Sequence, residues 1–198
     1  MTDILPSELH PLEPFLPQNA KVLMLGSFPP PQNKWKMDFY YPNFQNDMWR
    51  IIGLIFFEDK DYFLTEDKKS FDKERIVAFM NRKGIAMSDS AIEVQRLKDN
   101  ASDLYLNIIQ KRDIKKLLQQ IPLCKTMVTT GDKATKTLLS TFGADEKNIP
   151  PIGGSVTVVS EGNFYNVYRM PSTSRAYPKP LNEKALYYQA IFKELGMI

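Results

Sequence analysis

The sequence predicts an α/β protein, a three-layer α/β/α sandwich around a short and mostly parallel sheet. The apolar run VLMLGSF, at residues 22–28, does not alternate with polar residues, which is typical of a strand buried on both faces. Strand-like runs then alternate with helical patterns along the chain, as in parallel sheets covered by helices. With 198 residues, 43% of them hydrophobic, the chain can form one domain with a sizeable core.

The first 20 residues are rich in proline and acidic side chains, and we expect them to form an irregular leader. Residues 21–198 are expected to form the single domain. Its first strand is predicted over Lys21–Phe28. Gly26 lets the backbone turn sharply there, and the prolines at 29–31 prevent the strand from continuing. Because ligand sites in open α/β sheets lie beyond the carboxyl ends of strands, we expect a site at this point.

Apolar residues at helical spacing predict a helix over Asn46–Phe57. The other predicted elements follow in chain order: a helix over Phe71–Asn81 capped by Ser70, a strand over Gly84–Met87, a helix over Ile108–Ile121, a strand over Lys125–Thr130, a helix from Asp132 to Phe142, strands over Val156–Val159 and Tyr165–Met170, and a last helix capped by Asn182.

Two scarce residue types limit the chemistry. The single cysteine, Cys124, excludes an internal disulfide and a cysteine metal cluster, and it suggests a reducing cytoplasm. The single histidine, His10, lies in the proline-rich leader and is interpreted as a solvated side chain. Catalysis is therefore expected to use amides, carboxylates, hydroxyls or backbone dipoles, without a metal or cofactor.

The net charge of +3 permits nucleic-acid binding without requiring it, because a solvated lysine-rich surface explains it equally well. No apolar run is long enough to span a bilayer, and the leader lacks the basic start of a secretory signal. We expect a cytoplasmic monomer without membrane contact.

Five segments carry a resemblance: LGSFPP at 25–30, FYYPNFQNDMW at 39–49, KGIAMSDS at 83–90, VTTGDKA at 128–134 and YRMPSTSRAYP at 168–178. Their order resembles the uracil-DNA glycosylase superfamily, most of all its hypoxanthine- and uracil-type branch with Gly-Ser-Phe-Pro after the first strand. The match extends from the first strand to the last helix. It implies the α/β/α fold and excision of a deaminated base, uracil or hypoxanthine, from DNA by hydrolysis of the N-glycosidic bond.

The resemblance also implies roles for individual residues. Asn46 is at the position of the catalytic amide, and Tyr41 at that of the aromatic that stacks on the flipped base. Asp89 is at the base-reading position. Ser27 and Phe28 belong to the loop near the sugar and base, and the loop that grips the DNA backbone carries Ser172, Thr173, Ser174 and Arg175.

The chain departs from the family pattern at three places. Asn43 and Phe44 replace a common His-Pro, Phe28 occupies a position often held by a water-orienting Asp or Asn, and residues 172–174 lack a frequent histidine. Two alternatives therefore stay open. One is a nucleic-acid-binding relative that has lost the reaction, and the other is a hydrolase of free nucleosides.

The residues themselves also allow structural interpretations. Asn46 fits a helix N-cap as well as a water-holding amide. Tyr41 fits a core aromatic as well as a stacking platform, which is worth about 1–3 kcal/mol per base. Phe28 fits a plug at the strand end as well as a pocket wall, and Asp89 fits a turn or cap as well as an acceptor for base N–H groups.

Overall fold

The computed structural model describes residues 6–98 and 102–198. The strands are β1 (Ser7–Leu9), β2 (Val22–Gly26), β3 (Ile85–Asp89), β4 (Ala91–Arg96), β5 (Leu106–Lys111), β6 (Thr126–Thr130), β7 (Ser155–Ser160) and β8 (Asn163–Met170). The α-helices are α1 (Met48–Phe57), α2 (Lys73–Lys83), α3 (Ile114–Gln120), α4 (Asp132–Thr141) and α5 (Leu181–Glu194).

The main sheet has the strand order β3-β2-β6-β8-β7. Its first four strands are parallel, and β7 pairs antiparallel with β8 at one edge. Gly26 pairs with Asp89 at the carboxyl ends of β2 and β3. The prediction of a mostly parallel sheet covered by helices is confirmed.

The central strand β2 supplies side chains to both faces of this sheet. Val22 and Met24 pack with α1, α2 and α5 in one core cluster, whereas Leu23 and Leu25 pack with α3 and α4 in another. Because successive side chains of a strand point to opposite faces, an uninterrupted apolar run is what a strand between two helical layers requires.

A second, antiparallel sheet of three strands, with the order β1-β4-β5, was not predicted. The predicted helix over Ile108–Ile121 is wrong in its first part, since Leu106–Lys111 form β5 and the helix covers only Ile114–Gln120. The pairing Val94↔Ile108 explains the difference. Tertiary pairing with β4 overrides a spacing that by itself also suits a helix.

The described part of the leader contacts both sheets. Ser7–Leu9 pair with β4 of the second sheet, and Phe15 forms a backbone bridge with Met87 of β3 in the main sheet. The expectation of an irregular leader is therefore wrong for Ser7–Leu9, whereas residues 10–20 form no helix or strand beyond this bridge. Pairing with the exposed edge of β4 satisfies backbone groups that an unpaired segment would leave to water.

Two predicted caps also differ. Asp72 rather than Ser70 caps α2, since its Oδ1 accepts a hydrogen bond from the Arg75 backbone N–H at 3.0 Å. Helix α5 begins at Leu181 after Pro180, one residue before Asn182. A proline fixes φ near the helical value, so it starts this helix without a side-chain cap.

Candidate active site

A cavity of about 540 Å³ opens where the parallel strands end. Its lining includes Gly26 at the end of β2, Asp89 at the end of β3, Thr130 at the end of β6, and the loop 172–177 that follows β8. This is the edge of the sheet at which α/β proteins bind ligands, and the volume lies within the roughly 300–1,000 Å³ of small-molecule sites.

Gly26 and Asp89 form the base of this cavity. A Cβ atom built on Gly26 would lie 2.4 Å from Asp89 Oδ1 and 3.3 Å from the Tyr41 hydroxyl oxygen. No side chain fits between these atoms. The glycine therefore allows the paired ends of β2 and β3 to bring the Asp89 carboxylate against the backbone.

Tyr41 lies beside this corner in a strained conformation. Its φ of 53° is in the left-handed region, which costs a non-glycine residue on the order of 1–3 kcal/mol. Its hydroxyl lies 2.9 Å from Thr130 Oγ1, and its ring meets Trp49 edge-on at 6.4 Å. Burial and the Asp89 carboxylate raise the pKa of Tyr41, so the phenol stays neutral. Tyr41 is thus both packed against the core and part of the cavity wall.

His10 contacts the site from behind. Its Nε2 lies 2.7 Å from Asp89 Oδ2, and its side chain is 2% exposed. The interpretation of His10 as a solvated leader residue is wrong, because the strand pairing of β1 carries it into the fold. That it is the chain's only histidine was the single sequence signal that could have directed attention to it.

Asp103 is a second carboxylate in the cavity, and the sequence analysis missed it. Its Oδ1 accepts a hydrogen bond from Ser27 Oγ at 2.5 Å. Burial raises the pKa of Asp103, and the negative charge of Asp89 adds to this rise. The connection between β4 and β5 supplies this residue, so it could be placed only once the second sheet was known.

Asn46 lines the cavity and also has a structural contact. Its Oδ1 accepts a hydrogen bond from the Met48 backbone N–H at 2.9 Å, just before α1 begins. Its backbone forms a bridge with Ser174. A carbonyl oxygen has two lone pairs, so this local bond leaves one acceptor position on Oδ1 and both N–H donors of the amide.

A buried ionic cluster joins α1 to the loop 172–177. Asp47 accepts from Arg175 Nε at 2.9 Å and from Lys184 Nζ at 3.4 Å. Lys184 is 1% exposed and also donates to the Ser174 carbonyl oxygen at 2.8 Å. The sequence analysis did not single out Asp47 or Lys184, since a residue before a helix and a lysine in a helix's first turn are common at surfaces.

Arg50 adds a third cation to this region. Its Nη1 donates to the carbonyl oxygens of Phe44, at 3.0 Å, and of Asn46, at 3.2 Å. Burial lowers the pKa of Arg50, and the nearby Arg175 lowers it further. Asp47 thus forms ion pairs with two cationic side chains, Arg175 and Lys184, and Arg50 is a third cation close to them.

The predicted backbone-gripping loop borders the cavity with unequal exposure. Ser172 Oγ accepts from the Ser174 N–H at 3.3 Å, and Ser174 Oγ accepts from the Ala176 N–H at 3.2 Å. Thr173 is buried, and its carbonyl oxygen accepts from the Asp47 N–H at 2.8 Å. Arg175 is the most exposed of the four predicted loop residues.

The position of Phe28 is compatible with both interpretations considered for it. It borders the cavity, and it also packs with Ala91, Val94 and Leu106 beneath the second sheet. Its ring meets the His10 imidazole edge-on at 5.1 Å.

The described residues contain neither a metal-binding group nor a membrane-spanning helix. Within residues 6–98 and 102–198, no group of three or more His, Cys, Asp or Glu side chains could hold a metal ion. In the same part of the chain, no helix has the length and apolar character needed to cross a membrane.

Comparison with known proteins finds this architecture among solved structures. No protein-family model and no curated protein sequence matches the chain. The chain is similar to a protein from Methanosarcina acetivorans, provisionally described as a uracil DNA glycosylase, whose solution NMR structure is known. The two share 20% identity with a TM-score of 0.63, over 93% of this chain and 96% of that one. This likeness establishes a common fold along nearly the whole chain.

Proposed function

We propose that the protein is a DNA glycosylase that removes a deaminated base, uracil or hypoxanthine, by hydrolysis of its N-glycosidic bond. The observation that carries the proposal is the cavity at the strand ends, which combines aromatic side chains, the carboxylates of Asp89 and Asp103, an amide and a hydroxyl-rich loop that includes Arg175. The shared fold with a protein described as a uracil DNA glycosylase supports the same reading.

In this proposal the damaged base enters the cavity beside Tyr41 and Phe28, which supply apolar surface for it. Asp89 accepts a hydrogen bond from the base through its carboxylate. Extruding a nucleotide costs a few kcal/mol, about the amount that stacking and base-edge hydrogen bonds return, and the cost is least for a mismatched base. Deaminated bases are mispaired in DNA, which favours their selection.

Cleavage of the glycosidic bond develops positive charge on the sugar, as in other glycoside hydrolyses. Asn46 would orient the attacking water with its amide, which has free hydrogen-bonding capacity. Asp103, held by Ser27, would add a carboxylate that stabilises the cationic sugar. These groups need neither a metal nor a cofactor for the proposed step.

The DNA backbone would be held by Ser27, Ser172, Thr173, Ser174 and Arg175. Hydroxyls and backbone N–H groups in the exposed part of the loop suit phosphate contacts, which position DNA without reading its sequence. The buried Thr173 would contribute through the loop's shape rather than its hydroxyl. The cations beneath the loop add a favourable potential for phosphate. We propose that the protein acts on DNA as a cytoplasmic monomer in base excision repair.

The experiment is excision from labelled oligonucleotides that carry uracil, hypoxanthine, xanthine or mismatched thymine, single- and double-stranded, followed by alkaline strand cleavage. We expect product from uracil or hypoxanthine and at least about a 100-fold loss in Asn46→Ala, the size of a positioned water or proton-transfer group. The loss of the local contact to Met48 should cost only about 1 kcal/mol of folding free energy.

Asn43→Ala is the matched control. Asn43 borders the same cavity, and its Oδ1 accepts from the Gln45 N–H at 2.9 Å, the same local contact that Asn46 makes with Met48. Equal losses in both variants would contradict a catalytic role for Asn46. A wild type that binds lesion DNA without cleaving it, or that cleaves free deoxyuridine or deoxyinosine, would replace the proposal by one of the two alternatives.

A further inference from the structure

The two oxygens of Asp89 have different surroundings. Oδ2 bonds to His10 Nε2 at 2.7 Å, behind the cavity. Oδ1 lies against Gly26, and within residues 6–98 and 102–198 it accepts no hydrogen bond. Asp89 lines the open cavity, so Oδ1 is an acceptor that a ligand in the cavity can satisfy.

His10 is held in place independently of Asp89. Its backbone N–H donates to the Ile92 carbonyl oxygen at 2.8 Å, which continues the pairing of β1 with β4. Its ring packs against Phe28 at 5.1 Å and Tyr40 at 6.0 Å between ring centroids. These contacts fix the imidazole, so it is a rigid partner rather than a mobile one.

The Leu12 backbone holds Nδ1, the ring nitrogen that does not face Asp89. Nδ1 lies 3.1 Å from the Leu12 nitrogen, whose N–H points to it, and 2.9 Å from the Leu12 carbonyl oxygen. When Nδ1 accepts from this N–H, Nε2 carries the ring proton and donates it to the Asp89 carboxylate.

We propose that His10 is a positioning residue that holds the Asp89 carboxylate in one orientation, so that Oδ1 is a fixed hydrogen-bond acceptor in the wall of the cavity. This inference rests on the proposed glycosylase function and specifies which bases the site would accept. The acceptor pairs with bases that carry a ring N–H next to a carbonyl group, as uracil, hypoxanthine and xanthine do.

Cytosine and adenine have an unprotonated ring nitrogen at that position, and its lone pair would face the Asp89 oxygen. A site with a fixed acceptor therefore rejects cytosine and adenine by leaving buried groups unpaired. If the Asp89 carboxylate were free to rotate, Oδ1 would not be held at this position and this discrimination would be weakened.

Two substitutions separate this role from packing. His10→Gln keeps an N–H donor at about the reach of Nε2, whereas His10→Leu removes the donor and keeps apolar bulk against Phe28 and Tyr40. We expect His10→Leu to lose at least about tenfold in kcat/KM on the preferred lesion, and His10→Gln to stay within about threefold of the wild type. Discrimination against cytosine and adenine should fall only in His10→Leu.

The imidazole can also be observed directly, because His10 is the only histidine in the chain. In protein labelled with ¹⁵N-histidine, we expect a slowly exchanging Nε2–H signal that disappears in Asp89→Leu. This measurement needs no substrate and no activity.

The outcomes distinguish the two proposals. A wild type without excision on the lesion panel overturns the proposed function, and with it this inference. An active wild type with an equally active and selective His10→Leu overturns this inference alone. Two further results would overturn the inference about His10. One is an equal loss of kcat/KM in His10→Leu and His10→Gln that parallels the fall in melting temperature. The other is the absence of a protected ring N–H signal in the wild type.

Discussion

At the scale of single residues, the site depends on the absence of one side chain. Gly26 ends β2 opposite Asp89, and a Cβ there would lie 2.4 Å from Asp89 Oδ1. Both strands are buried and paired along their length, so neither can move away without disturbing the core. The strain would have to be relieved by the carboxylate, which would shift away from the cavity.

We therefore predict that Gly26→Ala costs about 1–3 kcal/mol of folding free energy and loses most excision activity, since the added methyl displaces Asp89. Denaturant unfolding and lesion excision measure the two effects. Gly53→Ala is the control. Gly53 lies in α1, outside the cavity, and a Cβ there would lie 2.5 Å from the Asp59 carbonyl oxygen. It should lose stability and keep the activity of the folded fraction, and equal activity losses in both variants would contradict the prediction.

At the scale of elements, the start of α5 holds the loop that borders the cavity. Lys184 reaches from its first turn to Asp47, which precedes α1, and to the Ser174 carbonyl oxygen. The burial of this lysine makes its partners necessary, because an unpaired charge in the interior is strongly destabilising. The contact therefore couples two helices to the geometry of the loop.

Lys184→Met should destabilise the protein by about 3 kcal/mol, because Asp47 loses one of its two ion-pair partners and the Ser174 carbonyl oxygen keeps the Tyr177 N–H but loses the Lys184 donor. It should also weaken binding to lesion DNA by disordering the loop. Lys193→Met, at an exposed position of the same helix, should stay within about 0.5 kcal/mol of the wild type. Thermal unfolding and an affinity titration test both statements, and an unchanged melting temperature in Lys184→Met would refute this role.

At the scale of the whole molecule, the chain's only thiol lies in one of the two core clusters and does not border the cavity. Cys124 is fully buried in the cluster with α3 and α4, and its Sγ donates to the Thr126 carbonyl oxygen at 3.3 Å. Burial raises the pKa of Cys124 to about 11. At pH 9, about one thiol in a hundred would then be ionised, and that one is inaccessible.

We predict that a thiol-specific reagent leaves the native protein unlabelled at pH 8 and modifies one thiol per chain in denaturant. Because the folded-state pKa is raised, the thiol's contribution to stability is present below its ordinary pKa of 9.0 and is lost as the pH rises through about 11. The free energy of unfolding should therefore fall more steeply across this range in the wild type than in Cys124→Ala. Rapid labelling of native protein would show that this core face opens readily.

The sequence by itself determined the layered architecture and the position of the cavity. An unbroken apolar run at 22–26 that ends at a glycine has few alternatives to a strand buried between two helical layers. The site residues that follow strand ends, such as Asp89, could also be found, because the carboxyl ends of parallel strands meet at one edge of a sheet.

Only the tertiary structure decided what surrounds those residues. His10 and Asp103 are 79 and 76 residues away in sequence from their partners Asp89 and Ser27, and no local pattern indicates such pairs. Both depend on the antiparallel sheet of β1, β4 and β5, whose pairing is set by contacts between distant segments. A local pattern can determine which face of a strand is buried, but the partner of a buried charge is determined by which segments meet in space.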